Sequence, residues 1–350
     1  MTTLEQAAHP DERLAPVRRT YVYIVAFISL AVTLSGVGSL VDTLLRLWLD
    51  GGGIAYGMAG YSRGIASSAG LLLVATPIFL IHWGLTQRHR HEASERASLL
   101  RKAFLYGASA WSLVNLLLNA YLLIDSLAAT ALGAPPPNAG SLATQWASAA
   151  LLAALHAAML AYWHAILQSD GDFGAEATNG RIVRQIFMLL AGLAGLSLLL
   201  WGAASALQVG LRLLVDATAP TVGAAWWRSM LASALAQVLV GGWLAYSNRA
   251  QWRAIVVQHP GEGQAALRRL YLYAAVVIGA IATLTPAALL LRELLLMLFG
   301  DSTGSLPQLL DKLIFPLSYV PVGLIIWLWH WNVLRQEANV SLPQIGQVLG

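Results

Sequence analysis

Long apolar stretches alternate with short polar ones along the whole chain of 350 residues. An apolar run of about 20 residues is long enough to cross the hydrocarbon core of a bilayer as a helix. Lipid offers no hydrogen-bond partner to an unpaired backbone group, so a span must be either a helix or a strand of a closed barrel. Apolar and polar residues do not alternate one by one within these runs, as they do in barrel strands, so each run is predicted to be helical. The eight predicted spans are residues 20–48, 65–86, 103–130, 144–167, 183–214, 227–247, 270–299 and 309–334.

The chain also repeats itself four times. A cluster of basic and aromatic residues opens each copy, and its aromatic residue at Tyr21, Phe104, Phe187 or Tyr271 fixes the register. Self-similarity at a fixed spacing indicates that one unit was multiplied. Each copy contains two spans, so all copies share one orientation, unlike the inverted repeats of many transporters. The opening clusters are Arg18–Tyr23, Arg101–Tyr106, Arg184–Phe187 and Arg268–Tyr273.

A finer pattern groups the copies into two similar halves. Copies one and three carry an arginine, Arg46 or Arg212, and an aspartate four residues after it, whereas copies two and four end the same stretch with Gly133 and Gly300. The predicted fold is all-α: a polytopic membrane protein of eight transmembrane helices, built from four helix-pair repeats in two similar halves. The predicted division is a polar N-terminal segment 1–19, a first half 20–168, a linker 169–180, a second half 181–336 and a C-terminal tail 337–350.

Composition and charge indicate that the chain lies in a membrane and how it is oriented there. Only 11% of the residues are charged, whereas a soluble domain carries about 25%. With the N-terminus in the cytoplasm, fifteen of the 21 Lys and Arg residues lie on the inner side, a bias that sets orientation. The sequence therefore predicts a protein of the cytoplasmic (inner) membrane with both termini cytoplasmic. Its first span is too long for a cleaved signal peptide and is expected to be retained.

Several classes of partner and chemistry are excluded. The basic residues alternate with spans instead of gathering on one soluble face, so nucleic acid is not an expected partner. The chain has no cysteine, which rules out disulfides, thiolate metal sites and thiol catalysis. The lipid bilayer is the predicted partner. A homo-oligomer or a place in a membrane complex is compatible with a repeat, since repeat units bury their faces against like neighbours.

Three stretches carry a resemblance to a known family. Val17–Leu30, Phe79–Trp83 and Glu95–Gly107 resemble a bacterial (Chloroflexi-type) multi-pass membrane family known as domain of unknown function 5671. The likeness covers most of the chain and is strongest before residue 130. It implies a multi-pass membrane protein, and it brings no catalytic or binding residues with it.

The first span of every copy carries a polar residue at the same position of the repeat. Asp42, Asp125, Gln208 and Arg292 each follow the register aromatic by 21 residues. An ionisable residue inside a membrane is costly and is a functional hypothesis by default. The candidate polar intramembrane cluster consists of Asp42, Arg46, Asn115, Asn119, Asp125, Gln208, Arg212, Arg292 and Glu293.

One interpretation of this cluster is structural. Asp42 and Arg46 are four residues apart and can pair on one helix face, as can Arg212 and Asp216. The two asparagines are also four apart, and amide side chains often hydrogen-bond between membrane helices. On this interpretation the cluster holds helices together.

The other interpretation is a functional site. If the copies surround a centre, Arg292 pairs with Asp125 or Asp42, and the cluster lines a pathway between the two halves. Arg292 and Glu293 are adjacent in the sequence, so their side chains are expected to point in different directions.

Histidine and tryptophan mark one end of three even-numbered spans. An interfacial aromatic belt explains them, because indole and imidazole have apolar bodies and polar tips. The alternative is haem ligation by His82, His164 and His330, which share one depth, whereas His156 is too close to His164 for a second stacked haem. The candidate residues are His82, Trp83, Trp163, His164, Trp329, His330 and Trp331.

No catalytic constellation accompanies these features. The chain lacks the His-Glu-x-x-His, Gly-x-Ser-x-Gly and phosphate-loop motifs, so neither a catalytic residue nor a metal ligand is predicted. The leading prediction is an integral membrane protein without catalysis or cofactor: a scaffold, an assembly subunit or a membrane-embedded binding module. The alternatives are a small-solute or ion pathway between the halves and a haem-binding membrane oxidoreductase.

Overall fold

The computed structural model describes residues 10–50, 57–134, 141–171, 178–217, 225–300 and 306–341. No strand occurs among these residues. Parts of the predicted N-terminal segment (1–9), linker (172–177) and C-terminal tail (342–350) lie outside the described residues. The helices are α1 (Pro10–Leu49), α2 (Gly57–Arg88), α3 (Ala93–Arg96), α4 (Leu99–Ala131), α5 (Leu142–Ser169), α6 (Thr178–Asp216), α7 (Trp226–Gln258), α8 (Ala266–Leu298) and α9 (Leu306–Ser341).

Eight of the helices in this described part of the chain are long and apolar enough to cross a membrane. Each predicted span falls on one of them, and α3 is a short helix between two spans. The all-α prediction with eight transmembrane helices is therefore confirmed. Length and apolarity alone were sufficient for it, because a lipid-exposed segment must satisfy its backbone internally.

The largest difference from the predicted boundaries is at the end of α7. The apolar run ends near residue 247, but the helix continues to Gln258. The added turns are amphipathic: Asn248, Trp252 and Ile255 are buried at the spacing of one helix face, while charged residues occupy the other. A search for apolar runs does not detect such an extension.

Glycine ends three of the long helices. Gly133 follows α4 with φ +69°, Gly300 follows α8 with φ +73°, and Gly171 follows α5 with φ +79°. A residue with a Cβ is strained in this left-handed conformation, which commonly terminates helices. The glycines that distinguish copies two and four in the sequence are therefore helix terminators.

The chain divides into two compact units. Unit 1 comprises residues 1–119 and 138–184, and unit 2 comprises residues 120–137 and 185–350. The predicted halves differ from these units chiefly in the last part of α4, which belongs to unit 2, and their boundaries stay a prediction.

Aromatic side chains form the core of unit 1, in which α1 packs against α2 and α5. Trp83 stacks on Phe104 with ring centroids 5.2 Å apart, and the edge of Trp163 meets both rings. The indole of Trp83 donates to the hydroxyl of Tyr162 over 2.9 Å. Trp83 and Trp163 are 7% and 0% exposed, which corrects the expectation that both belong to an interfacial belt.

Glycine contacts hold the helices of unit 2 close together. A Cβ added to Gly279 would lie 2.6 Å from the backbone nitrogen of Trp327, and one added to Gly323 would lie 2.8 Å from the carbonyl carbon of Ala282. The backbones of α8 and α9 therefore touch, as small residues allow in membrane helices. Gly195 of α6 lies equally close to the backbone of α7. It follows its register aromatic by eight residues, as Gly279 does.

Candidate functional site

Charged side chains are buried at one end of each unit. This end, which we call the basic end, carries the opening clusters of the repeat: residues 18–23, 101–106 and 184 in unit 1, and residues 185–187 and 268–273 in unit 2. Burying a charge is unfavourable unless it is paired and hydrogen-bonded. The partners of these basic residues therefore determine what the end can do.

Glu95 is the first buried partner in unit 1. It lies in α3, which follows the end of α2, and only 4% of it is exposed. The hydroxyl of Tyr23 donates to Glu95 Oε1 over 2.5 Å, and Arg19 Nε lies 3.1 Å from Oε2. Both carboxylate oxygens are thus bound, and α3 is fastened to α1.

The same bond recurs in unit 2. Gln185 Nε2 donates to Glu262 Oε2 over 2.8 Å, and both residues are buried. Glu95 and Glu262 each precede a register aromatic by nine residues, whereas Arg19 and Gln185 each precede one by two. The two contacts are therefore equivalent in the repeat, with an arginine in unit 1 where unit 2 has a glutamine.

A second buried acidic residue, Asp170, lies at the basic end of unit 1. Arg101 donates to both of its carboxylate oxygens, over 2.8 Å from Nε and 3.0 Å from Nη2. Lys102 Nζ lies 3.7 Å from Asp170 Oδ2. All three side chains are at most 3% exposed. This bidentate geometry is the strong form of an arginine–carboxylate pair, and it joins α4 to the end of α5.

A cavity of about 310 Å³ opens beside this pair. Arg96 Nε is buried and has no hydrogen-bond partner among the described residues. Two cationic side chains and one carboxylate, which both Arg101 and Lys102 contact, lie in the wall of the cavity. Its lining consists of Ala93, Arg96, Ala97, Lys102, Asp170, Gly171 and Gly180.

The predicted polar cluster is distributed over both units. In unit 1, Arg46 Nε donates to Asp42 Oδ2 over 2.7 Å, and Ser148 donates to Oδ1 over 3.2 Å. Asn115 and Asn119 each donate over 2.8 Å to the carbonyl four residues earlier in α4. All four predicted residues of this unit thus have partners on their own or on a neighbouring helix.

The unit 2 members also have local partners. Ser233 donates to Asp125 over 2.6 Å, and Arg212 pairs with Asp311 of α9. Arg292 Nη1 donates to Glu293 Oε1 over 2.5 Å, which corrects the expectation that these neighbours point apart and that Arg292 pairs with an aspartate. Adjacent residues on a helix diverge at Cβ, but long side chains can bend back to meet. Gln208 is partly buried.

Asp50 fastens the opposite end of unit 1. The hydroxyls of Ser141 and Thr144, at the start of α5, donate to Asp50 Oδ1 over 2.5 and 2.8 Å. These bonds lower the pKa of the Asp50 carboxyl, and the nearby Arg46 adds a smaller effect in the same direction. The end of α1 is thereby tied to the start of α5.

The histidines have separate environments. In unit 1, His82 is partly buried and His164 is exposed; His82 Nδ1 donates to Ile78 O over 2.8 Å, and His164 Nε2 lies 2.9 Å from the Gln168 amide. In unit 2, His330 is 2% exposed and its Nδ1 donates to Ile326 O. The tryptophans on either side of it, Trp329 and Trp331, are 42% and 46% exposed. The guanidinium of Arg249 lies over the ring of Trp329.

Each of the two exposed or partly buried candidate haem ligands of unit 1 has one ring nitrogen bound within its own helix. An axial histidine must direct a free ring nitrogen at iron inside an enclosed pocket, whereas His164 is exposed and its Nε2 is bound to an amide. Across the described ranges, no group of three or more His, Asp or Glu side chains is arranged to hold a metal ion.

The sequence of the chain matches a known protein family. The sequence model of a family described as a domain of unknown function (DUF5671) matches residues 19–155 and, a second time, residues 185–317. The chain belongs to this family. No curated protein and no solved structure matches it.

The two family matches begin at Arg19 and Gln185, the equivalent residues that contact Glu95 and Glu262. The family domain therefore occurs once in each half, and each occurrence includes the same contact at its basic end. The basic openings of the repeat are evident in the sequence, whereas their acidic partners were not predicted. Glu95 and Glu262 could have been found from their equal spacing to Phe104 and Tyr271, but Asp170 had no such signal.

Proposed function

We propose that this protein is a non-catalytic integral membrane protein that acts as a scaffold, an assembly subunit or a membrane-embedded binding module. The observation that carries the proposal is the local pairing of polar side chains within each unit. Asp42 is bound by Arg46, Asp125 by Ser233, and Glu293 by Arg292. Such pairs between or along helices are what structural fastening requires.

The asparagines of α4 support the same function. A solute or ion pathway needs side chains that exchange partners with the cargo. Asn115 and Asn119 instead donate to carbonyls of their own helix. This arrangement leaves the amide nitrogens engaged.

The proposal includes a location and a set of partners. The excess of Lys and Arg on one side of the spans favours an orientation with both termini in the cytoplasm, and the resemblance to a bacterial membrane family favours the inner membrane. The bilayer is the first partner. A second copy of the chain or another subunit of a membrane complex is the second, and neither a cofactor nor nucleic acid is required.

Flux measurements test the proposal against the transport alternative. Purified protein reconstituted into liposomes is expected to pass K⁺ and H⁺ no faster than protein-free liposomes do. The Asp125→Asn and Asp42→Asn variants should match the wild type in flux while unfolding at lower temperature. A flux that requires Asp125 would overturn the proposal, and so would a Soret band that disappears in a His330→Ala variant.

A positive test addresses the scaffold role directly. Native mass spectrometry of the protein extracted in its own lipids is expected to show a defined complex, with a second copy or with another subunit. In-cell crosslinking should capture the same partner. A chain that remains monomeric and uncrosslinked in both measurements would contradict the scaffold and subunit roles.

A further inference from the structure

We propose that the basic end of unit 2 binds the headgroup of an anionic phospholipid through Arg249, which Trp329 holds in place, with Arg253 as a second donor. The inference deepens the proposed role of a membrane-embedded binding module and rests on it only for the bilayer around the spans. Four features carry it: the equivalence of the two units, the charge of the arginines, their depth in the membrane, and the aromatic ring beneath Arg249.

An aromatic cluster in unit 1 and a polar cluster in unit 2 occupy equivalent positions of the repeat. Tyr271 follows Phe104 by 167 residues, and the same spacing leads from Trp163 to His330. The contacts correspond as well. The edge of Trp163 meets Phe104 with ring centroids 5.8 Å apart, and Tyr271 meets His330 edge to face with centroids 6.0 Å apart. Unit 2 thus keeps the arrangement of the aromatic core of unit 1 but has more polar side chains in it.

Arg249 takes the place that Trp83 has in unit 1. The spacing of the first and third register aromatics, 166 residues, leads from Trp83 to Arg249. Their partners are equivalent too, because the spacing of the second and fourth, 167 residues, leads from Tyr162 to Trp329. Trp83 donates to Tyr162 over 2.9 Å, and the guanidinium of Arg249 lies 4.1 Å from the ring centroid of Trp329. A core indole of unit 1 is therefore replaced in unit 2 by a permanent positive charge.

The charge of Arg249 faces another positive charge. Arg253 lies one turn further along α7 and repels it, and like charges four residues apart destabilise a helix. Within the described ranges, neither arginine pairs with a carboxylate. Glu262, the described carboxylate at this end, is bound by Gln185. An anion that accepts hydrogen bonds from both arginines would remove the repulsion between them.

The depth of the two arginines identifies the anion. The apolar run of α7 ends near residue 247, so Arg249 and Arg253 lie about 3 and 9 Å beyond it along the helix axis. The headgroup region occupies roughly 5–8 Å outside each face of the hydrocarbon core. Tyr246 and Trp329, which are 74% and 42% exposed, have the position of interfacial aromatic residues. A lipid phosphate lies at this depth, within reach of both guanidinium groups.

The ring of Trp329 prepares Arg249 for this contact. A guanidinium that lies on an aromatic face has its edge N–H groups directed outward, and they match two phosphate oxygens at once. Unit 1 lacks both donors, because Trp83 and Gln87 stand at the positions equivalent to Arg249 and Arg253. The site is therefore expected in unit 2 and not at the equivalent place in unit 1.

The test compares variants of the full-length chain. Arg249→Gln removes the main donor, and because this side chain is only partly buried the variant is expected to fold. Arg269→Gln is the matched control: it removes the same charge from the same end of unit 2, at an exposed position of α8. Trp329→Leu leaves every charge in place and removes only the ring that holds Arg249.

Native mass spectrometry from nanodiscs measures the retention of phosphatidylglycerol against phosphatidylcholine, and we expect the wild type to retain the anionic lipid. Arg249→Gln should weaken this retention about tenfold, the size expected for one charge-assisted hydrogen bond. Trp329→Leu should weaken it about two- to fivefold, as the loss of one exposed cation–π contact does. Arg269→Gln should stay within about twofold of the wild type, since it removes no such bond.

A second arm distinguishes the lipid from a soluble ligand. In lipid-free detergent, thermal shift measures the binding of inorganic phosphate and glycerol 3-phosphate, and neither is expected to stabilise the wild type more than Arg249→Gln. Stabilisation by either one that requires Arg249 would overturn the assignment to a lipid.

Equal retention by Arg249→Gln and Arg269→Gln, or no preference of the wild type for phosphatidylglycerol, would overturn the inference. If circular dichroism shows that Arg249→Gln does not fold, Trp329→Leu decides, and retention equal to that of the wild type would overturn it. Because flux and complex formation are measured separately, failure of the scaffold role would leave these results interpretable, and the reverse also holds.

Discussion

At the scale of the residue, single polar contacts have measurable consequences. Asp50 receives hydrogen bonds from Ser141 and Thr144, which favour its ionised form and lower its pKa in the folded protein. A carboxyl whose pKa is lower when folded than when unfolded adds stability above its unfolded pKa, which is about 3.9. That stability is lost as the pH falls through the folded value.

We therefore expect the wild type to be more stable than Asp50→Asn at pH 6 and expect this difference to shrink toward pH 3. Thermal unfolding in detergent, followed by circular dichroism across this range, measures it. Ser141→Ala provides the control, because in a chain without that hydroxyl the Asp50→Asn substitution should have a smaller effect at every pH. A difference that grows as the pH falls would contradict the assignment.

The terminating glycines make a second residue-scale prediction. Gly300 has φ +73° and open space around the position of a Cβ, so Gly300→Ala changes only backbone strain. A left-handed conformation costs an alanine about 1–2 kcal/mol, and we expect that loss in the free energy of unfolding. Gly84→Ala is the matched control: it also has open space but lies within α2, where alanine favours the helix.

At the scale of the element, close backbone contact determines how helices pair in unit 2. Gly279 of α8 and Gly323 of α9 each leave room for the other helix. Dispersion contacts between touching backbones are a major source of helix association in membranes, where burial of apolar surface gives little. The pairing of α8 with α9 should therefore depend on the absence of side chains at these two positions.

Gly279→Val tests this dependence. Its Cβ would meet the backbone of Trp327 at 2.6 Å, and a backbone atom cannot rotate away. Overpacking costs about 1–3 kcal/mol, so a corresponding fall in resistance to denaturant is expected. Gly70→Val in α2, where no atom lies within 4 Å of the added Cβ, should have little effect. Equal effects of the two substitutions would show that helix propensity alone is responsible.

At the scale of the whole molecule, the repeat could be predicted from the sequence, but the contacts between buried side chains could not. Apolar run length specifies eight spans, and the spacing of Tyr21, Phe104, Phe187 and Tyr271 specifies their relation. Sequence position gives the depth of a side chain in a span but not which neighbour it meets. One interpretation of the sequence paired Arg292 with a distant aspartate, whereas its partner is the adjacent Glu293.

The repeated contact at the basic ends yields a prediction at this scale. Arg19→Gln gives unit 1 the residue that unit 2 has at the equivalent position, and because Arg19 is partly exposed we expect a loss below about 1 kcal/mol. Glu95→Ala should cost about 1–3 kcal/mol, because the buried hydroxyl of Tyr23 loses its acceptor. Denaturant titration measures both.

A second substitution separates the causes. If the cost of Glu95→Ala arises from the unpaired hydroxyl, adding Tyr23→Phe should restore part of the lost stability, because neither polar partner then remains. If Tyr23→Phe instead adds its own full cost to that of Glu95→Ala, the two residues do not act as a pair and the contact is not what stabilises the basic end.

The pair between Arg101 and Asp170 also has a consequence for synthesis. Arg101 precedes Asp170 by 69 residues, so at ordinary translation rates the arginine waits roughly 3 to 14 seconds for its partner. During that interval the guanidinium lacks its carboxylate partner, and on the proposed orientation it can direct insertion of α4. Once Asp170 emerges, the same group becomes part of the buried interior. A defect at Asp170 would therefore leave insertion correct and delay completion, exposing a correctly oriented but unclosed chain to quality-control proteases.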